Sequence, residues 1–188
     1  MQNYSQLLKA FQPLFNLITQ GEGGLDAMNQ GTMGGRIVGS TLDSQTIIGV
    51  KLTSLTLKQL IERQDYEMDT NNPQQNNYGL FAAGKFQFIP GTLKSLVHSS
   101  GIDESKLFDE NTQDLLCLEL IRTSAPAAYS YAQGQSNDLD KAINELASQW
   151  ASLPTTSGGT AYAGTGNAAS HSIDSVKQVL NDVRRNLG

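Results

Sequence analysis

Residues 18–24 read Ile18-Thr19-Gln20-Gly21-Glu22-Gly23-Gly24. In this segment the pattern of a helix with one apolar face ends at an acidic residue, and the glycines that follow allow the chain to leave the helix. The apolar side chains upstream recur at helical spacing. They are Tyr4, Leu7, Leu8, Phe11, Leu14, Phe15 and Ile18. We therefore predict a helix, kinked or restarted at Pro13, that ends at Glu22. The negative end of the helix dipole, together with burial, would raise the pKa of the Glu22 carboxyl, which suits a proton donor.

A second segment predicts a structured turn further along the chain. It reads Ala82-Ala83-Gly84-Lys85-Phe86-Gln87-Phe88-Ile89-Pro90-Gly91-Thr92. We interpret it as a glycine turn, an extended run carrying phenylalanines, and a proline that opens a helix. In an extended run Phe86 and Phe88 would face one way and Lys85 and Gln87 the other, so that one set faces the core and the other a cleft.

Composition and charge narrow the class of protein. The chain has 188 residues, of which 38% are hydrophobic and 16% charged, with 18 glycines, which is typical of a soluble globular protein. The formal net charge of −5 argues against a protein that holds nucleic acid by neutralising phosphates. We expect one domain, residues 1–188, and a monomer.

The sequence indicates no metal, cofactor or membrane span. Cys117 is the single cysteine and lies in an apolar run, so we expect a buried thiol and no disulfide within the chain. His98 and His171 are isolated in sequence, and no aspartate-rich calcium loop is present, so no metal is expected. The first residues lack a basic region followed by an apolar run, so we predict synthesis in the cytoplasm without a signal peptide.

The fold class follows from the elements predicted along the chain. Short apolar runs punctuated by glycine, Ile37-Val38 and Ile47-Ile48-Gly49-Val50, predict a small irregular sheet within a minor lobe of residues 31–55. Helices are predicted after Thr56, from Pro90, after Asp109 or Asn111, from Leu139 to Trp150, and from Ile173 to Leu187. Residues 69–79 and 155–170 are predicted to be flexible loops. These patterns indicate an α+β fold that is mostly α.

The two motifs together resemble those of the lysozyme-like superfamily that cleaves peptidoglycan, especially lytic transglycosylases and lambda-type phage endolysins. The acid and glycines at a helix end are followed by the spacing A-x-G-x-x-Q-x-x-P-x-T over residues 82–92. Trp150-Ala151-Ser152-Leu153-Pro154, then Tyr162, His171 and a final amphipathic helix follow in the order seen in the lambda endolysin. The resemblance implies a lysozyme-like fold, with a helical main lobe and a small β lobe flanking a substrate groove.

The resemblance also implies roles for particular residues. Glu22 would be the catalytic acid, and Gln87 would belong to the sugar-binding groove. Phe86 is a second candidate for binding substrate in that groove. The alternative role of Gln87 is that of a buried structural amide, and the alternative role of Phe86 is that of a core residue. Tyr162, in a glycine-rich loop, and Arg36, which could pair with a muramyl or peptide carboxylate, are further candidates for substrate binding.

Two other readings of the chain stay open. A hydrolytic muramidase would need a second acid, and Asp26 is the nearest candidate, although it is also placed to cap or turn the chain. A catalytically inactive module that binds the cell wall is the other alternative. For the enzyme, the partners expected are peptidoglycan glycan strands and an inhibitor or immunity protein. Release to the periplasm would depend on a holin, a phage tail or a secretion apparatus.

Overall fold

The structure is a computed structural model that describes residues 3–33, 36–37, 42–68, 79–164 and 167–188, with the backbone alone at 32–33, 36–37 and 66–68. The fold is mostly helical with a small antiparallel sheet, which confirms the predicted class. The helices are α1 Tyr4–Glu22, α2 Ser44–Ile48, α3 Leu57–Met68, α4 Pro90–Ser100, α5 Glu110–Ser124, α6 Pro126–Ala132, α7 Leu139–Ala147 and α8 Ile173–Leu187. The strands are β1 Ala27–Asn29, β2 Thr32–Met33, β3 Arg36–Ile37, β4 Leu42–Asp43 and β5 Ala82–Ala83.

The chain divides into two compact units. The terminal unit combines Met1–Gly21 with Cys117–Gly188, and the middle unit is Glu22–Leu116. The chain crosses between them at the last residue of α1 and again within α5. Glu22 is therefore the first residue of the middle unit.

The terminal unit is built on the apolar stripe of α1. Seven α1 side chains are buried on one face, which confirms the predicted stripe from Leu7 onward, but Tyr4 is 63% exposed and Leu8 is half-buried, so the stripe does not begin at Tyr4. The seven buried residues are Leu7, Ala10, Phe11, Leu14, Phe15, Leu17 and Ile18. The ring of Phe11 lies 5.9 Å from that of Tyr129 on α6. Pro13 stands inside α1, which continues as one helix from Tyr4 to Glu22.

Helices α7 and α8 complete the terminal unit and confirm both predicted amphipathic helices, except that α7 ends at Ala147 and not at Trp150. Each begins at a side-chain cap, Asp138 for α7 and Ser172 for α8. Trp150 follows α7 and is 2% exposed, so its ring packs in the core. The segment after it is tied back to α7, because the Asn144 Oδ1 accepts from the Thr156 backbone N–H at 2.9 Å.

The middle unit contains the three-stranded sheet, in the order β4-β1-β5. Strand β1 is central, pairing Met28 with Leu42 on one side and with Ala83 on the other. Strands β2 and β3 form a separate two-stranded pair. The predicted small sheet is therefore present, but its central strand is a segment that the apolar pattern did not single out.

One part of the predicted sheet is wrong. Ile47 and Ile48 belong to the short helix α2, not to a strand. The reason is local capping: Asp43 Oδ2 accepts from the Thr46 N–H at 2.9 Å at the start of α2, and Gly49 ends the helix with φ of 73°. Val38 and residues 69–78 of the predicted flexible loop lie outside the described residues.

The helix boundaries predicted in the middle unit are confirmed. Thr56 and Gln59 form a reciprocal capping box at α3, since the Gln59 N–H donates to Thr56 Oγ1 and the Thr56 N–H donates to Gln59 Oε1. Pro90 is the first residue of α4, and Gly101 ends that helix with φ of 65°. The Thr112 N–H donates to Asp109 Oδ1 at 2.9 Å, so Asp109 caps α5.

Candidate functional site

Glu22 is the last residue of α1, as the sequence predicted, and its side chain is half-buried. Gly23 follows with φ of 139°, a conformation that side chains disfavour, so the chain turns away from the helix immediately after the acid. Leu25 and Asp26 then form a turn that leads into β1. The glycine after Glu22 is therefore required by the backbone.

Both the side chain and the backbone of Asp26 make hydrogen bonds that stabilise the local structure. Its Oδ1 accepts a hydrogen bond from the Thr53 backbone N–H at 2.8 Å, and its carbonyl accepts from the Ser44 N–H at 3.0 Å. These contacts join the turn after Glu22 to the start of α2 and to the 3₁₀ turn Leu52–Ser54. They match the capping role that the sequence left open for Asp26.

The predicted extended run around Phe86 is wrong. Ala83 and Phe88 exchange both backbone hydrogen bonds, at 3.1 and 2.9 Å, and residues 84–87 form the tight turn between them. We call residues 84–87 the hairpin loop. Because the chain turns here, side chains do not alternate, and Lys85, Phe86 and Phe88 are all buried.

Gln87 has the one positive φ, 51°, among the described residues other than glycine. Its Nε2 donates to the Gly84 carbonyl at 2.8 Å and to the Ala27 carbonyl at 3.3 Å, and its Oε1 accepts from Asn29 Nδ2 at 3.2 Å. The amide thus joins the hairpin loop to β1. A left-handed backbone at a non-glycine residue is costly and occurs preferentially at functional sites.

Phe86 is a core residue. It is 2% exposed, and its ring lies 5.8 Å from that of Phe88. Of the two roles that the sequence left open for Phe86, core packing is the one that its burial supports. Its ring therefore offers no surface to a ligand.

The hairpin loop also carries a buried ion pair that the sequence did not reveal. Lys85 Nζ lies 2.8 Å from Asp114 Oδ1 and 3.0 Å from Glu110 Oε1, both on α5. Burial raises the pKa of the Asp114 carboxyl, and the Lys85 ammonium opposes that shift. Asp114 lies directly before the apolar run 115–118 of α5, but other polar residues share that helix, so nothing in the sequence indicated that Asp114 is buried.

Two fully buried glutamines complete the polar interior of the middle unit. Gln64 Nε2, from α3, donates to the carbonyls of Phe81 and Phe88 at 2.8 and 3.0 Å. Gln113, from α5, contacts the hairpin loop and the segment after Glu22. Neither glutamine was singled out by sequence, because a buried amide leaves no periodic signature.

The two remaining candidates are Tyr162 and Arg36. Tyr162 belongs to the terminal unit and is half-buried, and its hydroxyl donates to the Ser148 carbonyl at the end of α7. Arg36 lies in β3, where its backbone pairs with Met33, and its side chain falls outside the described residues. The structure brings Asp26 and Gln87 into the same unit as Glu22, and it places Tyr162 in the other.

The chain was compared with models of protein families. The model described as Endolysin matches residues 16–182, which include the end of α1, the hairpin loop and most of α8. The chain belongs to the endolysin family. Membership implies a phage lysin that degrades peptidoglycan. Searches of curated proteins and of solved structures returned no match.

Two further findings bear on this endolysin. Among the residues that the structure describes, no three His, Cys, Asp or Glu side chains are grouped to hold a metal ion. Within the same residues, no helix has both the length and the apolar character needed to cross a membrane.

Proposed function

We propose that this endolysin cleaves the β-1,4 bond between N-acetylmuramic acid and N-acetylglucosamine as a lytic transglycosylase, on a lysozyme-like fold of the lambda type. Glu22 is the single catalytic acid. The observation that carries the proposal is the position of Glu22, which is half-buried at the end of α1 and followed by a turn that needs glycine. The whole chain acts as one catalytic domain.

The chemistry requires one carboxyl group. Protonated Glu22 donates its proton to the leaving glycosidic oxygen while positive charge develops at the anomeric carbon. The resulting carboxylate then takes the proton of the C6 hydroxyl of the same muramic acid. That hydroxyl attacks the anomeric carbon and closes a 1,6-anhydro ring. Because the nucleophile is tethered to the sugar, much of the entropy cost of a bimolecular attack is avoided.

Gln87 and its neighbours form the substrate-binding part of the proposal. The Gln87 amide is held by contacts to Gly84, Ala27 and Asn29, so a sugar bound beside the hairpin loop meets a fixed amide. Tyr162 and Arg36 are retained as binding candidates, the first for a sugar face and the second for a carboxylate.

A hydrolytic muramidase with Asp26 as second acid is the alternative enzyme. Asp26 Oδ1 already accepts the Thr53 N–H, and Asp26 turns the chain after Glu22. These structural contacts of Asp26 favour the mechanism that uses one acid.

A module that binds the cell wall without cleaving it is the alternative outside catalysis. For the enzyme, we propose that a holin, a phage tail or a secretion apparatus gives it access to the cell wall. An inhibitor or immunity protein would block its activity.

Two measurements on purified sacculi test the proposal. Glu22→Gln should lower the rate of glycan cleavage by at least about a hundredfold without a matching loss of thermal stability. Glu62→Gln is the control, since Glu62 is an exposed α3 carboxylate paired only loosely with Lys58 at 3.9 Å. Mass spectrometry should find 1,6-anhydro ends. Free reducing ends would select the hydrolase, and unchanged cleavage by Glu22→Gln would remove Glu22 from its role.

A further inference from the structure

The side chain of Gln113 joins the two segments that carry the proposed site. It is fully buried, and its Oε1 accepts from the Lys85 backbone N–H at 2.8 Å. Its Nε2 donates to the Leu25 carbonyl at 3.1 Å and to the Phe108 carbonyl at 3.0 Å. One amide therefore links the segment that follows Glu22 to the hairpin loop that carries Gln87, and both of its donors and its oxygen are used.

The surroundings of Gln113 leave little room for adjustment. A Cβ on Gly84 would lie less than 3.0 Å from Gln113 Oε1 and 2.7 Å from the Phe108 ring. The next residue on α5, Asp114, binds the ammonium of Lys85 at 2.8 Å. Two successive residues of α5 thus hold both the backbone and the side chain of Lys85, which fixes the hairpin loop at its start.

We propose that Gln113 is a positioning residue for the site, which sets the hairpin loop and its Gln87 amide relative to the turn after Glu22. This inference rests on the proposed function, because positioning has meaning only if Glu22 and Gln87 act on the same glycan. Displacements of about 1 Å in such groups cost up to about a hundredfold in rate. A buried amide that served stability alone would instead affect folding and leave turnover per folded molecule unchanged.

The chain offers a matched control in Gln64. Gln64 and Gln113 are both fully buried, and each donates from Nε2 to two backbone carbonyls. Gln64 ties α3 to the ends of the hairpin at Phe81 and Phe88, whereas Gln113 reaches the segment after Glu22. Replacing either glutamine by methionine keeps the volume and removes the hydrogen bonds.

The experiment compares Gln113→Met and Gln64→Met for melting temperature and for kcat and KM on sacculi, corrected to the folded fraction. We expect both to lower the melting temperature, and only Gln113→Met to lower kcat, by about tenfold or more. Equal kcat values for Gln113→Met and wild type, or equal losses in both variants, would overturn the inference and leave the proposed function standing. A wild-type protein inactive on sacculi would overturn both.

A second variant covers the case in which Gln113→Met does not fold. Gln113→Glu keeps the oxygen that accepts from Lys85 but turns a carboxylate oxygen toward the Leu25 and Phe108 carbonyls. Protonation of the introduced carboxylate would restore one donor. We expect the deficit of this variant in kcat relative to wild type to narrow as pH falls. A deficit that stays constant with pH would count against the positioning role.

Discussion

Lys85 Nζ lies 2.8 Å from Asp114 Oδ1, with 7% and 11% of the two side chains exposed. Removing one member of such a pair leaves a buried charge, whereas removing both does not. We expect Lys85→Met to destabilise the fold by about 3 kcal/mol, and Lys85→Met with Asp114→Leu to be less harmful than the two single changes added together. Denaturant unfolding of wild type, Lys85→Met, Asp114→Leu and the double variant measures the coupling free energy between the two residues. If the two single losses of stability simply add in the double variant, the expectation is wrong.

The same pair predicts a pH dependence. Burial raises the pKa of Asp114 above its unfolded value, and Lys85 counteracts that shift. For a raised carboxyl pKa, the stability contribution is full below the unfolded pKa and is lost as pH rises through the folded pKa. Lys85→Met removes the ammonium group that lowers the pKa of Asp114. The loss of folding stability that this variant shows relative to wild type should therefore become smaller as pH falls from about 7 to about 4. A constant difference across this range would refute the assignment.

Gly84 is predicted to tolerate no side chain. Its φ is 76°, and a Cβ would meet Gln113 and the Phe108 ring. We expect Gly84→Ala to destabilise by about 3 kcal/mol. Gly91→Ala is the control, because Gly91 lies in the first turn of α4 with open space around it, and alanine there should be neutral or stabilise by up to about 1 kcal/mol. Similar melting temperatures for both variants would contradict the close packing of Gln113 and Phe108 around Gly84.

Gly21 is predicted to be required for a different reason. A Cβ there would lie less than 3.0 Å from Ser152 Cβ, and 3.0 Å from His171 Nε2. Alanine favours a helix by about 1 kcal/mol over glycine, so a net loss in Gly21→Ala would report the clash. Adding Ser152→Gly should recover part of the loss. Calorimetry of the single and double variants tests this, and no recovery would show that Ser152 is not the obstacle.

His171 is predicted to make stability fall at mildly acidic pH. Burial lowers its pKa, and a hydrogen bond with the Leu17 backbone opposes that shift. A depressed pKa contributes stability that is present above the unfolded pKa and lost as pH falls through the folded pKa. His171→Gln should therefore flatten the stability profile between about pH 7 and about pH 5. His98→Gln, at an exposed position on α4, is the control. An unflattened profile in His171→Gln would exclude this contribution.

Asp26→Asn separates the structural and catalytic roles of that residue. Asparagine keeps the Oδ1 that accepts the Thr53 N–H, so we expect the fold and the rate of glycan cleavage to be retained within about twofold. Asp26→Ala, which loses the acceptor, should be less stable by about 1 kcal/mol. A folded Asp26→Asn protein that has lost at least about a hundredfold in rate would instead favour the hydrolytic mechanism with two acids.

The amino-acid sequence by itself determined the six longest helices in the described part of the chain, α1, α3, α4, α5, α7 and α8, and the place of Glu22, whereas it missed the short helices α2 and α6. The stripe from Leu7 to Ile18, the capping box at Thr56 and the proline at the start of α4 are local signals, because helical hydrogen bonds and caps join residues a few positions apart. The glycine after Glu22 also predicted that the helix ends there. The structure agrees, because Gly23 has a φ of 139°, a conformation that other residues rarely adopt.

Tertiary structure alone decided which of those parts lie together. The central position of β1, the turn at residues 84–87 and the bond from Gln113 to the Leu25 carbonyl join segments far apart in the chain. Buried amides and ion pairs show no periodicity in the sequence, because the position of each depends on which neighbouring buried polar groups need a hydrogen-bond partner.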